Sequence, residues 1–377
     1  MPAKLVPAKT IVSTTIVSTT TLSKTRLSKT RRIKKTPATT RFAINATTIF
    51  LMLLTLTMLS TPVNSQTLDK RTICAWDPVG NNGPVIQFFA DLIPKALSWG
   101  LSIEFVPYED ENKALTDFIE KKCDMAIVTA ILSRDIVPFA GTLDAIGGIT
   151  SEQKLKMTLA AIASPKAEKL MTMGEYEVVA SLPVGSMFAF VNDRNIKDIR
   201  HFRNKRIAIL NNDIQTKKFA ELTGGIPVNT TLMNFSSNFN NGNLDIVIMP
   251  ALAYDTFELY KGLGDKGGIL DLRLFYGMIQ AIVRKSDFPD DFGTKVRRYI
   301  VNKVDTITDI IDKAEKTIPH KYWIKANQQT EGELAELYKD IRLRLKVNKQ
   351  FDARALSLLF KIRCLTSPER EECVSPK

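Results

Sequence analysis

The stretch Arg71–Phe89, "RTICAWDPVGNNGPVIQFF", passes from a β-like run, RTICAW, through an acid, prolines, glycines and asparagines into an apolar segment of helical character. A strand leading through a polar, glycine-bearing turn into a helix leaves backbone N–H groups pointing outward, and helix starts of this kind hold ligands in many unrelated folds. An ordinary βα turn reads the same way locally, so the flanking chain has to decide. Thr72–Trp76, Ile103–Val106 and Met125–Thr129 read as strands, with helical stretches near 84–99 and 111–122 between them and a long amphipathic stretch over Ser151–Met171. That alternation is the signature of α/β layering.

Two β-rich runs follow, Tyr176–Leu182 and Met187–Val191, separated by Pro183 and Gly185. A second α/β set reads as strands Arg206–Leu210, Val228–Met233 and Leu244–Met249 with the helical Thr216–Leu222. Leu272–Arg284, "LRLFYGMIQAIVR", is again β-like. After about residue 289 the chain reads as helix, with periodic apolar positions in "KVRRYIVNKVDTITDIIDKA" and "ELAELYKDIRLRLKV". Two α/β lobes joined by long β connections at 187–194 and 272–286 predict a cleft between them and a hinge at the connections.

At 377 residues the chain exceeds one average domain, and 44% hydrophobic with 24% charged residues suffices for a globular core. The net charge of +12 is unevenly placed: ten of the 52 Lys and Arg lie in residues 1–65, which hold none of the 40 acids. The remainder is near neutral and gives no argument for nucleic-acid binding. Residues 1–40 repeat IVSTT (11–15, 16–20) and LSKTR (22–26, 27–31), a basic low-complexity pattern that cannot bury an apolar face and predicts disorder. Ile49–Leu59 is mostly apolar but shorter than the roughly 20 residues of a bilayer span, and it falls within the about 7–15 of a secretory signal. Residues 41–65 are therefore expected to be a signal peptide, with Val63 and Ser65 at the cleavage-site positions; an uncleaved anchor is the alternative. Beyond residue 66 no apolar stretch approaches membrane-spanning length. The expected divisions are lobe one at 66–186, lobe two at 187–275, and a return to lobe one with C-terminal helices over 276–377.

Cys74, Cys123, Cys364 and Cys373 all follow the predicted signal, and export to an oxidising compartment favours disulfides. Cys364 and Cys373 flank a polar loop and Cys74 and Cys123 sit in strand-like segments, so those two pairings are expected, with buried free thiols as the alternative. No metal site is expected, because there is no Cys-x-x-Cys and only His201 and His320 are present. The chain has no P-loop, H-E-x-x-H, G-x-S-x-G or G-x-G-x-x-G. Glu109, Asp110 and Glu111 open a helical pattern, where acids favour the helix dipole. Neither catalysis nor a cofactor is predicted.

Ligands of open α/β sheets sit beyond the carboxyl ends of strands. That rule selects Trp76, Asp77, Asn81 and Asn82, then Thr129–Arg134, Asn211–Asp213 and Met249–Tyr254. The candidate ligand-binding residues are Trp76, Asp77, Asn82, Thr129, Arg134, Asn211, Met249 and Tyr254, with Asn211 equally readable as a turn or capping residue. If Asp77 and Trp76 line the site, replacing either by alanine is expected to abolish ligand stabilisation and leave the ligand-free melting point little changed.

"FAGTLDAIGG" (139–148), after a Cys-Asp strand and Arg134, and "IRHFRNKRIAIL … NGNLDIVIMPALAYDTFELYKGL" resemble the lobe-one and lobe-two segments of the exported, DctP-like solute-binding subunits of TRAP-type (tripartite ATP-independent periplasmic) transporters. The match runs from about residue 70 to 285 and beyond. "CAWDPVG … KKCDMAIVTA" is similar to a subgroup of these exported proteins, some of which carry an aminoglycoside-efflux (AdeT-like) label. The resemblance implies an α/β two-lobed periplasmic-binding-protein (Venus-flytrap) fold, capture of a small-molecule solute in the cleft, and delivery to integral-membrane transporter subunits by a mostly monomeric periplasmic protein. It also implies an arginine that clamps a substrate carboxylate; aligning "FRNKRIAIL" on the family's "LKGLKIRVP" places Ala208 there, leaving Arg134 as a possible substitute and a neutral or cationic ligand open. The alternative function is that of a membrane-anchored accessory protein of an efflux or envelope assembly.

Overall fold

Strand β1, Asp69–Trp76, runs from an exposed start into a fully buried end, and its parallel neighbours are β2 (Leu101–Tyr108) and β3 (Met125–Thr129). β3 reads MAIVT and is buried along its length except at Thr129, the unbroken apolar run of a parallel strand covered on both faces. These strands belong to a computed structural model that describes residues 68–326 and 328–374, within one unit spanning 66–377. The expected low-complexity segment and signal peptide lie outside the described residues.

The first sheet continues from β3 into β10 (Tyr276–Arg284) and β5 (Tyr176–Val191), both antiparallel additions. A second sheet begins on the far half of β5, which pairs with β8 (Ile246–Pro250), followed by β6 (Arg206–Leu210) and β7 (Ile226–Thr230). β9 (Gly268–Asp271) also pairs with β5 and carries β11 (Trp323–Lys325), and the two-residue β4 (Thr172–Met173) pairs with the start of β5. The mixed α/β, two-lobed architecture is therefore strung on one strand: residues 176–186 of β5 serve the first sheet and 187–191 the second.

That strand differs from the two separate runs expected from Pro183 and Gly185. Gly277 pairs with Gly185 and Met278 with Pro183, so Val184 is passed over as a β-bulge and the strand continues. Gly185 has φ +115°, a conformation that side chains rarely adopt. The helix expected near 84–99 is two, Pro84–Ala90 and Ile93–Ser98; Pro94 supplies no N–H to carry the first into the second. The strand expected over 272–284 starts at Tyr276, because Leu272–Phe275 leaves the ladder and bonds β5 irregularly, with Met187 N donating to Phe275 O (2.7 Å) and Leu274 N to Met187 O (3.0 Å). The short strand β11 was not foreseen.

The C-terminal helices tie the lobes together. Helix Val304–Thr317 packs on β5; helix Gln328–Val347 lies against helix Ile214–Leu222 of the second lobe, while Arg342 from it donates to the Ile146 carbonyl of the first (2.9 Å). Two disulfides join Cys74 to Cys123 and Cys364 to Cys373. Among the described residues no helix is long and apolar enough to cross a membrane.

Candidate functional site

The loop that follows β1 holds an anion of its own. Asp77 is fully buried, and its Oδ2 accepts from Val85 N (2.8 Å) and Ile86 N (3.0 Å) while Oδ1 accepts from Val79 N (3.0 Å). The start of helix Pro84–Ala90 is thereby capped from within the chain. Gly83 has to be glycine here, since a Cβ would fall 1.6 Å from Asp77 Oδ1.

Beyond the carboxyl ends of β1, β3, β6 and β8 lies a cavity of about 460 Å³, the position that strand-end geometry dictates. Trp76, Thr129 and Leu210 end β1, β3 and β6 and, with Met249 and Pro250 at the end of β8, face it. Its back is the β5 bulge, which turns Pro183 and Val184 into the space, with Phe275, Gly277 and Met278 beside it. Gly277 permits this approach, because a Cβ would come within 2.9 Å of Met187 Sδ. Ile307, Ile310 and Ile311 of helix Val304–Thr317 form a further wall. Both lobes and the strand joining them thus contribute.

The wall is mainly apolar. Its polar members among the described residues are Gln87, Asp91, Thr129, Asp144, Asp213 and Thr256, and no Lys, Arg or His lines it. Burial pushes the Asp144 carboxyl up to about 6, opposed by the Arg134 guanidinium and reinforced by Asp213. Asp213 is raised in the same sense by burial, against its capping bond from Thr216 N (3.0 Å). Behind Thr129, Glu111 accepts from Thr129 N (3.2 Å) and Oγ1 (2.9 Å), yet burial lifts it to about 7.

Of the sequence candidates, Trp76, Thr129 and Met249 line the cavity. Asp77 is turned into its own loop. Asn82 and Asn211 are exposed outside the wall, the former offering its carbonyl to Gln87 Nε2 (2.6 Å). Tyr254 is buried in the second-lobe core against Tyr260 and Tyr322. Arg134 lies behind the wall, donating to Asp144 Oδ1 (2.6 Å) and Gly141 O (2.9 Å), with Nη1 buried and without a protein partner. Ala208, in the middle of β6, faces the second-lobe core. Sequence reasoning missed Val184, Asp144 and the three isoleucines. An acid inside the apolar "FAGTLDAIGG" was a usable signal for Asp144; an amphipathic helix does not reveal whether its stripe meets core or cavity.

Two sheets on a shared strand, with a cavity between them at the strand ends, define a two-lobed binding protein. Solved structures agree: a TRAP periplasmic solute-binding protein from Desulfovibrio salexigens with bound orotic acid superposes with TM-score 0.63 at 12% identity, covering 78% of this chain and 97% of that one. The periplasmic ectoine-binding protein of the TeaABC TRAP transporter of Halomonas elongata gives TM-score 0.63 at 10% identity, with 78% and 98% covered. The family model "Solute-binding protein AdeT 1/2" matches residues 95–376, and the chain belongs to that family. It is 32% identical over 298 residues to "Probable solute-binding protein AdeT1" of Acinetobacter baumannii, covering 79% of this chain and 98% of the relative. Against "Probable solute-binding protein AdeT2" of the same organism it is 24% identical, with 62% and 98% covered.

Proposed function

We propose that this solute-binding protein works in the periplasm, closing its two lobes on a small molecule and presenting it, without a chemical step, to the membrane subunits of a TRAP-type transporter. The observation that carries this is the cavity itself: strand ends of both lobes and the bulged connecting strand β5 share one apolar space of about 460 Å³. A hinge at the bulge and at Leu272–Phe275 would open and close that space.

A broad thermal-shift screen of the purified protein tests the proposal. A saturable shift with one solute class is expected, corresponding to about 2.7 kcal/mol at a hundredfold excess over Kd. Silence across organic acids, amino acids, amines, sugars and lipophilic compounds, from a folded sample, would refute it.

A further inference from the structure

On the assignment of the cavity as the solute site, its wall determines which chemistry can enter. The indole and hydroxyl donors of the wall are already committed within the protein, as is one of the two N–H groups of Gln87. Trp76 Nε1 donates to Glu109 O (3.1 Å), leaving the indole ring to face the cavity. Thr129 Oγ1 donates to Glu111 Oε2 (2.9 Å), Thr256 Oγ1 to Leu252 O (2.8 Å) and Gln87 Nε2 to Asn82 O (2.6 Å). Both hydroxyl oxygens keep lone pairs for a ligand. Two helix starts at the cavity are closed to an external anion, because Asp77 caps Val85 and Ile86 and Asp213 caps Thr216. Every charged wall residue among those described is an acid: Asp91, Asp144 and Asp213.

A carboxylate entering this space would shed water without gaining a wall cation, would find among the described side-chain donors only the second N–H of the exposed Gln87, and would sit among three acids. A protonated amine meets acceptors and an indole face, and a lipophilic body meets Met187, Met249 and Ile311. We infer that the cavity selects a lipophilic solute that carries a hydrogen-bond donor and no negative charge, a compact monoamine being the best-matched class. A polyhydroxylated polycation fits poorly, since most of its polar groups would be desolvated against aliphatic walls.

Three molecules of one shape test this: 1-adamantylamine, 1-adamantanol and 1-adamantanecarboxylate, titrated calorimetrically into the purified protein near neutral pH. The expected order is amine, then alcohol, then carboxylate, with at least tenfold between the first and last. Asp91→Asn, at an exposed wall position, should narrow the gap between amine and alcohol. Ile310→Trp, at a half-exposed position where added bulk needs no core rearrangement, should weaken all binding; undiminished affinity would place the amine elsewhere and overturn the inference. Tightest binding by the carboxylate would also overturn it, through capture at the unpartnered Arg134 Nη1, while leaving the solute-binding function intact. If none of the three binds but the broad screen finds a polar anion, the inference alone fails; if neither finds a ligand, the function fails with it.

Discussion

Asp77 has no contact with solvent, and three backbone N–H groups converge on its carboxylate. Removing it strands those donors, so Asp77→Ala is expected to cost about 2–3 kcal/mol in the ligand-free protein, read by urea denaturation, with Asp77→Asn milder. A ligand-free stability equal to wild type would show that the loop is held otherwise. This reverses the expectation from sequence that the ligand-free melting point would barely move. Glu111 gives a second test. Burial raises its folded value to about 7, whereas the unfolded carboxyl titrates near the ordinary value of about 4.3. The folded chain therefore holds the proton more tightly across that window, and stability from this group declines as pH rises through about 7. Asp144, raised to about 6, acts in the same direction. Glu111→Gln should flatten the fall in melting temperature between about pH 4 and 7; an unchanged slope would remove Glu111 as its source.

Among the elements, β5 combines a ladder, a bulge and the passage between sheets. Gly185→Ala would force a side chain into φ +115° with its Cβ 3.3 Å from Ile311 Cγ2. A loss of about 1–2 kcal/mol is expected, again by denaturation. Little or no loss would mean that the bulge relaxes at no cost. The disulfides offer a contrast in loop length: Cys74–Cys123, separated by 49 residues, should contribute about 4 kcal/mol and Cys364–Cys373, separated by 9, roughly 2.5. Paired Cys→Ala variants measured side by side would show whether that order holds. The contrast between regular and irregular elements also explains what the sequence revealed. Strand ends and βα order were legible from apolar runs and turns, which led to Trp76, Thr129 and Met249. Pro183 and Gly185 look like chain breakers, and only the register against β10 shows that they shape one strand. Arg134 invited the role of a ligand clamp because its partner Asp144 is fixed by tertiary packing, which local patterns do not encode. β11 is three residues long and gains its place from β9, a pairing invisible locally.

For the molecule as a whole, the proposed function requires the two lobes to close on the solute. Saturating ligand should reduce the radius of gyration in small-angle scattering, as the sheets rotate about the β5 bulge and Leu272–Phe275. An unchanged scattering curve with demonstrated binding would mean that the lobes are already closed. Gln215 bears on this, since the Ile146 N–H donates to its Oε1 (2.8 Å) and its Nε2 donates to Asp144 O (3.4 Å), fastening the second lobe to the first beside the cavity. The carboxylate carried by Asp77 has a consequence for timing. A receptor whose entrance loop is completed by its guest must spend part of each encounter organising itself. Here the counter-ion is covalently present from synthesis, so the loop stands ready before any guest arrives, and the amides of Val85 and Ile86 should exchange with deuterium equally slowly in the empty and the occupied protein.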